Sequence, residues 1–123
     1  MKLKDNLYRI VSADTSTNTF RIEFVPESCI YKAHFPEMPV TPGVCIVQIA
    51  GELLEEKTGV PMRLTTVSNA KFLAVISPQE NPLVTYQLAK IACDEESGIC
   101  KLSAIVSSNE KVFAKLSLVF STK

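Results

Sequence analysis

The chain has 123 residues, enough for one domain with a sizeable core, and its balance of 46% hydrophobic to 21% charged residues excludes a disordered chain. Thirteen basic residues offset thirteen acidic ones, so there is no electrostatic footprint for nucleic acid or a membrane surface. The opening residues MKLKDNLYRI hold no apolar core of signal-peptide length and no run approaches a membrane span, so the expected location is cytoplasmic.

Leu7–Ser12 reads as a first strand, followed by a turn over Ala13–Asn18, rich in Asp, Ser, Thr and Asn. In Thr19–Val25, Phe20, Ile22 and Phe24 alternate with Arg21 and Glu23, the period of a half-buried strand. Cys29–Tyr31 reads as a short extended piece. Residues 34–48, HFPEMPVTPGVCIVQ, come next. They contain the only histidine, His34, and three prolines, Pro36, Pro39 and Pro42. Proline fixes φ and pushes the residue before it toward extended geometry, which predicts a stiff, non-helical loop after His34.

Thr41-Pro42-Gly43 reads as a helix start, with Thr41 as N-cap and Pro42 at the first helical position. An imidazole is thereby placed before a helix end that carries unpaired N–H groups and partial positive charge. That pairing suits acid–base chemistry on a substrate that develops negative charge. A single histidine in a small domain is also often a packed or solvated one.

The helix is expected from Val44 to about Lys57. Its first turns, VCIVQIAG, are apolar nearly all round, which predicts a buried helix with Gln48 as an interior polar group in need of partners. Glu55-Glu56-Lys57 returns to water, Gly59 supplies a stop and Pro61 prevents resumption. Leu64–Ile76, Leu83–Cys93 and Ile99–Ser107 read as strands, the last with Cys100, Leu102, Ala104 and Val106 on one face. Ser108-Asn109-Glu110 is a hairpin connection, and Val112, Ala114, Leu116, Leu118 and Phe120 line one face of the final strand. Hairpins following one buried helix imply an α+β fold, a single domain over residues 1–123 with an antiparallel sheet curled around a central helix.

The four cysteines, Cys29, Cys45, Cys93 and Cys100, match no zinc spacing, and one histidine could not complete such a site. In a reducing compartment all four are expected as thiols. Cys93 and Cys100 flank a turn as candidate cross-strand neighbours. Nothing near Cys45 in sequence except His34 could activate it as a nucleophile.

The run His34, Phe35, Pro36, Pro39, Pro42, Gly43 and Val44 resembles, in order and spacing, the active-site signature of the 3-hydroxyacyl-acyl carrier protein dehydratases, hot-dog-fold enzymes of fatty acid biosynthesis. Asn69-Ala70-Lys71-Phe72 is similar to the family's strand after the helix. Three positions depart from the pattern. Ala33 and Glu37 stand where the family has glycines, and Gln48 stands where it has an acidic residue. Glutamine has the reach of glutamate but exchanges no proton at useful pH. One turn on, where the family usually has glutamine, the chain has Glu52. Positions i and i+4 share a helix face. Glu52 is therefore either a displaced catalytic carboxylate or a member of a solvated cluster with Glu55 and Glu56.

The resemblance implies a dehydratase acting on a 3-hydroxyacyl thioester of acyl carrier protein or coenzyme A, with no metal or cofactor. His34 would be the base and the Gly43 N–H the donor to the thioester oxygen. Gln48 would orient water or the hydroxyl, Glu52 would supply the acid, and Phe35, Pro42 and Val44 would line the substrate. The family shares each site between two subunits, so a homodimer or higher homo-oligomer is expected, and a heterodimer with a related subunit would restore a full pair. Two other readings share the fold: a non-catalytic or partner-dependent acyl-thioester-binding subunit, and a thioesterase.

Overall fold

The computed structural model describes residues 2–33, 39–109 and 111–123. His34 and Phe35, and the part of the loop expectation that rests on 34–38, lie outside the described residues.

The alternating segments form six strands: β1 (Tyr8–Asp14), β2 (Thr19–Phe24), β3 (Arg63–Phe72), β4 (Leu83–Asp94), β5 (Ile99–Ser108) and β6 (Lys111–Ser121). They build one sheet in the order β1-β2-β4-β5-β6-β3, with every pairing antiparallel. Among the described residues two helices accompany it, α1 (Cys29–Ala33) and α2 (Gly43–Thr58). The period-two pattern of β5 places Cys100, Leu102, Ala104 and Val106 inside, as expected, and β6 adds Phe113, Ala114, Leu116, Leu118 and Phe120. These meet Ile46, Ile49, Ala50, Leu53 and Leu54 of α2 in one core. The Tyr86 hydroxyl of β4 donates to the carbonyl of Ile46 at 2.9 Å, a direct polar tie between sheet and helix.

Several expectations need correction. Cys29–Tyr31 is helical rather than extended, because Ser28 begins a turn: its carbonyl accepts from Tyr31 N–H at 3.1 Å and its hydroxyl from Ile30 N–H at 3.4 Å. Thr41 is not the cap of α2. The helix starts at Gly43 with Pro42 in the cap position, extended at φ −60° and ψ 143°. The Thr41 hydroxyl is engaged elsewhere, 2.8 Å from the Tyr31 hydroxyl, and both residues are buried. The third strand stops at Phe72, not Ile76. Beyond it the chain turns back, and the Ile76 carbonyl receives the Thr41 N–H at 2.8 Å, anchoring the approach to α2. Gly59 closes α2 with φ 72°, and its N–H donates to the Glu55 carbonyl at 2.7 Å, as the glycine stop predicts.

The four-thiol expectation also fails. Cys93 and Cys100 stand directly opposite in the β4–β5 ladder, with Cα atoms 4.0 Å apart, and are joined as a disulfide. Opposed residues project from the same face of an antiparallel pair, which brings the two sulfurs together. Cys29 and Cys45 are the free thiols, the first exposed and the second buried.

Candidate functional site

The N-terminal end of α2 carries the candidate chemistry. Pro42 fixes the entry geometry, and the first intrahelical bonds run from Cys45 and Ile46 N–H to the Pro42 carbonyl, at 3.0 and 3.1 Å. The N–H groups of Gly43 and Val44 therefore have no acceptor within the helix. Gly43 is set by a neighbour: a methyl group added there would come within 3.0 Å of the Phe72 ring Cζ. Phe72, at the end of β3, thus lies over the helix start, and glycine is the residue that admits it.

Along the same side of α2 runs a cleft of about 540 Å³. Val44, Val47, Gln48, Gly51 and Glu52 form its helical wall, and Met62, Leu64 and Phe120 face them. The all-round burial expected of this helix does not hold for that side. Val44 is 74% exposed and Gln48 is exposed, whereas Cys45, Ile46, Val47, Ile49 and Ala50 are buried. Gln48 is accordingly a cleft-wall residue rather than an interior polar group.

Glu52 reverses the solvated reading. It is only 6% exposed. Its Oε2 accepts from Leu3 N–H at 2.7 Å and from Gln48 Nε2 at 3.0 Å. Its Oε1 accepts from Lys4 N–H at 2.9 Å and from the Tyr8 hydroxyl at 2.9 Å. Every one of these partners is a donor, which suits an anchor better than an acid reaching for a leaving group. Burial, and next the Glu52 carboxylate, push the Tyr8 phenol far above its ordinary range. Glu55 and Glu56 do return toward water, and Glu56 pairs with Lys4.

Sequence reasoning did not find the N-terminal contribution to this cluster. Leu3 and Lys4 act through backbone N–H groups, which leave no residue-type signal, and Tyr8 belongs to a strand pattern that gives its hydroxyl no role. Cys45 is buried behind the cleft wall. Burial, and then Glu52, raise its thiol, which leaves it poorly suited to act as a nucleophile.

The structure thus brings Gln48 and Glu52 together and sets Val44 and Gly43 at the same helix start. A family model described as ApeI-like, ApeI dehydratase, matches residues 11–115. The chain belongs to the ApeI-like dehydratase family. It is 30% identical over 99 residues to the 3-hydroxyacyl-acyl-carrier-protein dehydratase FabZ of Thermotoga petrophila, a match spanning 76% of this chain and 69% of that protein. A FabZ of Brucella ovis is 42% identical over a shorter stretch of 62 residues, 44% of this chain and 40% of the other. Among solved structures, the dehydratase heterocomplex ApeI:P from Xenorhabdus doucetiae superposes with a TM-score of 0.65 at 13% identity, covering 91% of this chain and 96% of that one. The ApeI-like chain shares its fold with that structure, which establishes the hot-dog architecture: an antiparallel sheet wrapped on one long helix. Among the described residues, no helix is long and apolar enough to cross a membrane.

Proposed function

We propose that this chain removes water from a 3-hydroxyacyl thioester carried by acyl carrier protein or coenzyme A. His34 takes the proton beside the thioester carbonyl. The Gly43 N–H, lacking a helical acceptor, stabilises the oxygen on which charge develops. The C–H electron pair becomes the new C=C bond, the C–O bond of the hydroxyl breaks, and the oxygen leaves as water after His34 returns to it the proton it took. Phe35, Pro42 and Val44 line the acyl passage. The observation that carries this reading is the cleft along Val44, Gln48 and Glu52, opening beside a helix start with two uncommitted N–H groups, in a chain of a dehydratase family.

Both partners of a dimer are proposed to contribute to each site. β3 is an edge strand, paired only with β6, and exposes Leu64, Val67 and Phe72, with Leu73, Val75 and Val44 exposed nearby. A second copy along this edge would cover that surface.

One observation favours a second reading, a subunit that binds acyl thioesters and depends on a related partner for turnover. Gln48 replaces the family's acid, and the nearby carboxylate of Glu52 is already occupied by four donors.

The test is to offer the purified chain 3-hydroxyacyl and trans-2-enoyl thioesters and follow the absorbance of the conjugated thioester. Turnover that His34→Ala abolishes supports the enzyme reading. Turnover that survives His34→Ala within twofold defeats it, and no turnover on any chain length transfers the weight to the partner-dependent reading. Light scattering that finds a stable monomer at micromolar concentration would remove the shared-site proposal.

A further inference from the structure

The Cys93–Cys100 bridge adds little as a staple. A cross-link stabilises chiefly by restricting the unfolded chain, and more so for longer loops. These cysteines are only seven residues apart, in a hairpin whose turn is closed by other bonds. The Asp94 carbonyl accepts from Gly98 N–H at 2.8 Å, the Asp94 carboxylate from Glu96 N–H at 3.0 Å, and the Gly98 carbonyl from Thr122 N–H at 2.8 Å. The bridge lies one pair from the end of the β4–β5 ladder, with Cys93 exposed and Cys100 buried. An external thiolate can therefore reach the Cys93 sulfur, and Cys100 is the sulfur it displaces.

Two routes of contact run from this bridge to the cleft. A cavity of about 440 Å³ has Cys93, Cys100, Val60 and Met62 in its walls, and Met62 also lines the cleft beside α2. The Met62 N–H is tied to Glu55 Oε2 at 2.7 Å, so the flexible thioether arm, rather than the backbone, answers a change in the cavity. On the other side, Cys100 stands opposite Phe120 in the β5–β6 ladder, and the Phe120 ring lies against Gly51 in the cleft wall.

We propose that Cys93–Cys100 is a thiol–disulfide exchange site for dithiols, and that its oxidation state sets the width of the cleft through Met62. One thiolate of the dithiol attacks the Cys93 sulfur. The Cys93–Cys100 bond breaks, and its electron pair leaves on Cys100, which takes a proton. The second thiolate of the dithiol then attacks the reagent sulfur bonded to Cys93. This closes the reagent's own disulfide and releases Cys93, which takes the second proton. The dithiol loses two electrons and two protons, and the protein gains both. Unbonded sulfurs stand farther apart than bonded ones. Cys100 is enclosed, so Cys93 turns into the cavity it lines, and the Met62 arm shifts toward the cleft and narrows it. The effect on acyl ligands rests on the proposed function, whereas the exchange and the movement of Met62 do not.

The chain has three methionines, and with 13C-methyl methionine the Met62 signal is assigned by its loss in Met62→Leu. Adding dithiothreitol to the oxidised chain should move this signal and leave the far-UV circular dichroism unchanged. An excess of oxidised glutathione should return it. Cys93→Ser should start at the reduced position and not respond. The amide analogue of hexanoyl-pantetheine, which thiols do not cleave, should bind about fivefold more weakly to the reduced chain and to Cys93→Ser. A Met62 signal unmoved in the reduced, folded chain overturns the proposal. So does loss of the fold on reduction, which would make the bridge a staple, and so does equal binding in the two states. A Met62 signal that moves, with no binding in either state, supports the exchange site and tells against the acyl-thioester reading instead.

Discussion

The ring of Phe72 rests on the Cα of Gly43, close enough that a methyl group there would stand 3.0 Å from its Cζ. The end of an edge strand and the start of the central helix thus share one point of contact, beside the N–H groups proposed to receive the substrate oxygen. Phe72 is 48% exposed and meets Gly43 through the far end of its ring, so Gly43→Ala should change stability by less than about 1 kcal/mol. Gly51 offers the contrast. A methyl group there meets Phe120 Cε1 at 2.9 Å, and Phe120 is 3% exposed, so Gly51→Ala should cost about 1–3 kcal/mol. Urea denaturation of the two variants measures both, and equal costs would contradict this account.

Glu52→Ala removes the acceptor of Leu3 N–H, Lys4 N–H and the Tyr8 hydroxyl together. Leu3 N–H and the Tyr8 hydroxyl are the buried donors, each costing about 1–3 kcal/mol when stranded, so the variant should lose at least about 2 kcal/mol. Tyr8→Phe deletes one donor and leaves the carboxylate three, and should cost about 1 kcal/mol. If Glu52→Ala is as stable as the parent in chemical denaturation, the carboxylate is no anchor.

Gln48→Glu would restore the family's acid but place a second carboxylate where the amide now lies 3.0 Å from Glu52. Like charges so close raise the pKa of the pair. A raised folded-state pKa gives stability that is full below the unfolded value and lost as pH rises. The variant should therefore lose stability relative to the parent from acid toward neutral pH. Gln48→Glu with Glu52→Gln removes the like-charge pair and should flatten this pH dependence, while the amide NH2 at position 52 faces donors and keeps the variant less stable than the parent. Thermal melts at acid and neutral pH distinguish the two, and a single variant with the parent's pH profile would refute the proximity.

The chain's three tyrosines, Tyr8, Tyr31 and Tyr86, are all buried. Burial pushes Tyr31 up to about 12, and raises Tyr8 and Tyr86 well above the ordinary 10.0. A raised phenol pKa favours the folded state below pH 10 and withdraws that support above it. Absorbance at 295 nm should show no tyrosinate at pH 10 in the folded protein, then a single rise coincident with loss of circular dichroism. A phenol titrating near pH 10 with the fold intact would show one of the three to be solvated.

The oxidised protein should yield two thiols when unfolded without reductant, and four after reduction. Cys29 should react in the folded state, and Cys45 only after unfolding. Four thiols without reductant would show the Cys93–Cys100 bridge to be absent in solution.

The central strands were legible because their residues obey one rule along the whole element. Cys100, Leu102, Ala104 and Val106 alternate inward, and β6 continues the same surface. Gly59 was legible because a left-handed stop needs glycine. The α1 helix was not, since CIYKA carries no period and its start depends on how Ser28 folds back. Thr41 has the right chemistry for a cap, yet Tyr31 competes for its hydroxyl. Glu52 was ambiguous because three of its four partners lie 44 to 49 positions away, and two of these are main-chain groups. Interactions of that range leave no local trace.

The sheet order β1-β2-β4-β5-β6-β3 separates β3 from its neighbours in the chain and joins it to β6. During synthesis, β3 emerges with its apolar Leu64, Val67 and Phe72 before the strand that will hold it. β4, β5 and β6 pair as successive hairpins, whereas closure of β3 waits for β6. Non-local closure of this kind is slow, and an unpaired apolar edge is a template for other chains. The nascent chain is thus most vulnerable to mispairing in the interval between β3 and β6, and a truncation that stops before β6 leaves this edge permanently open.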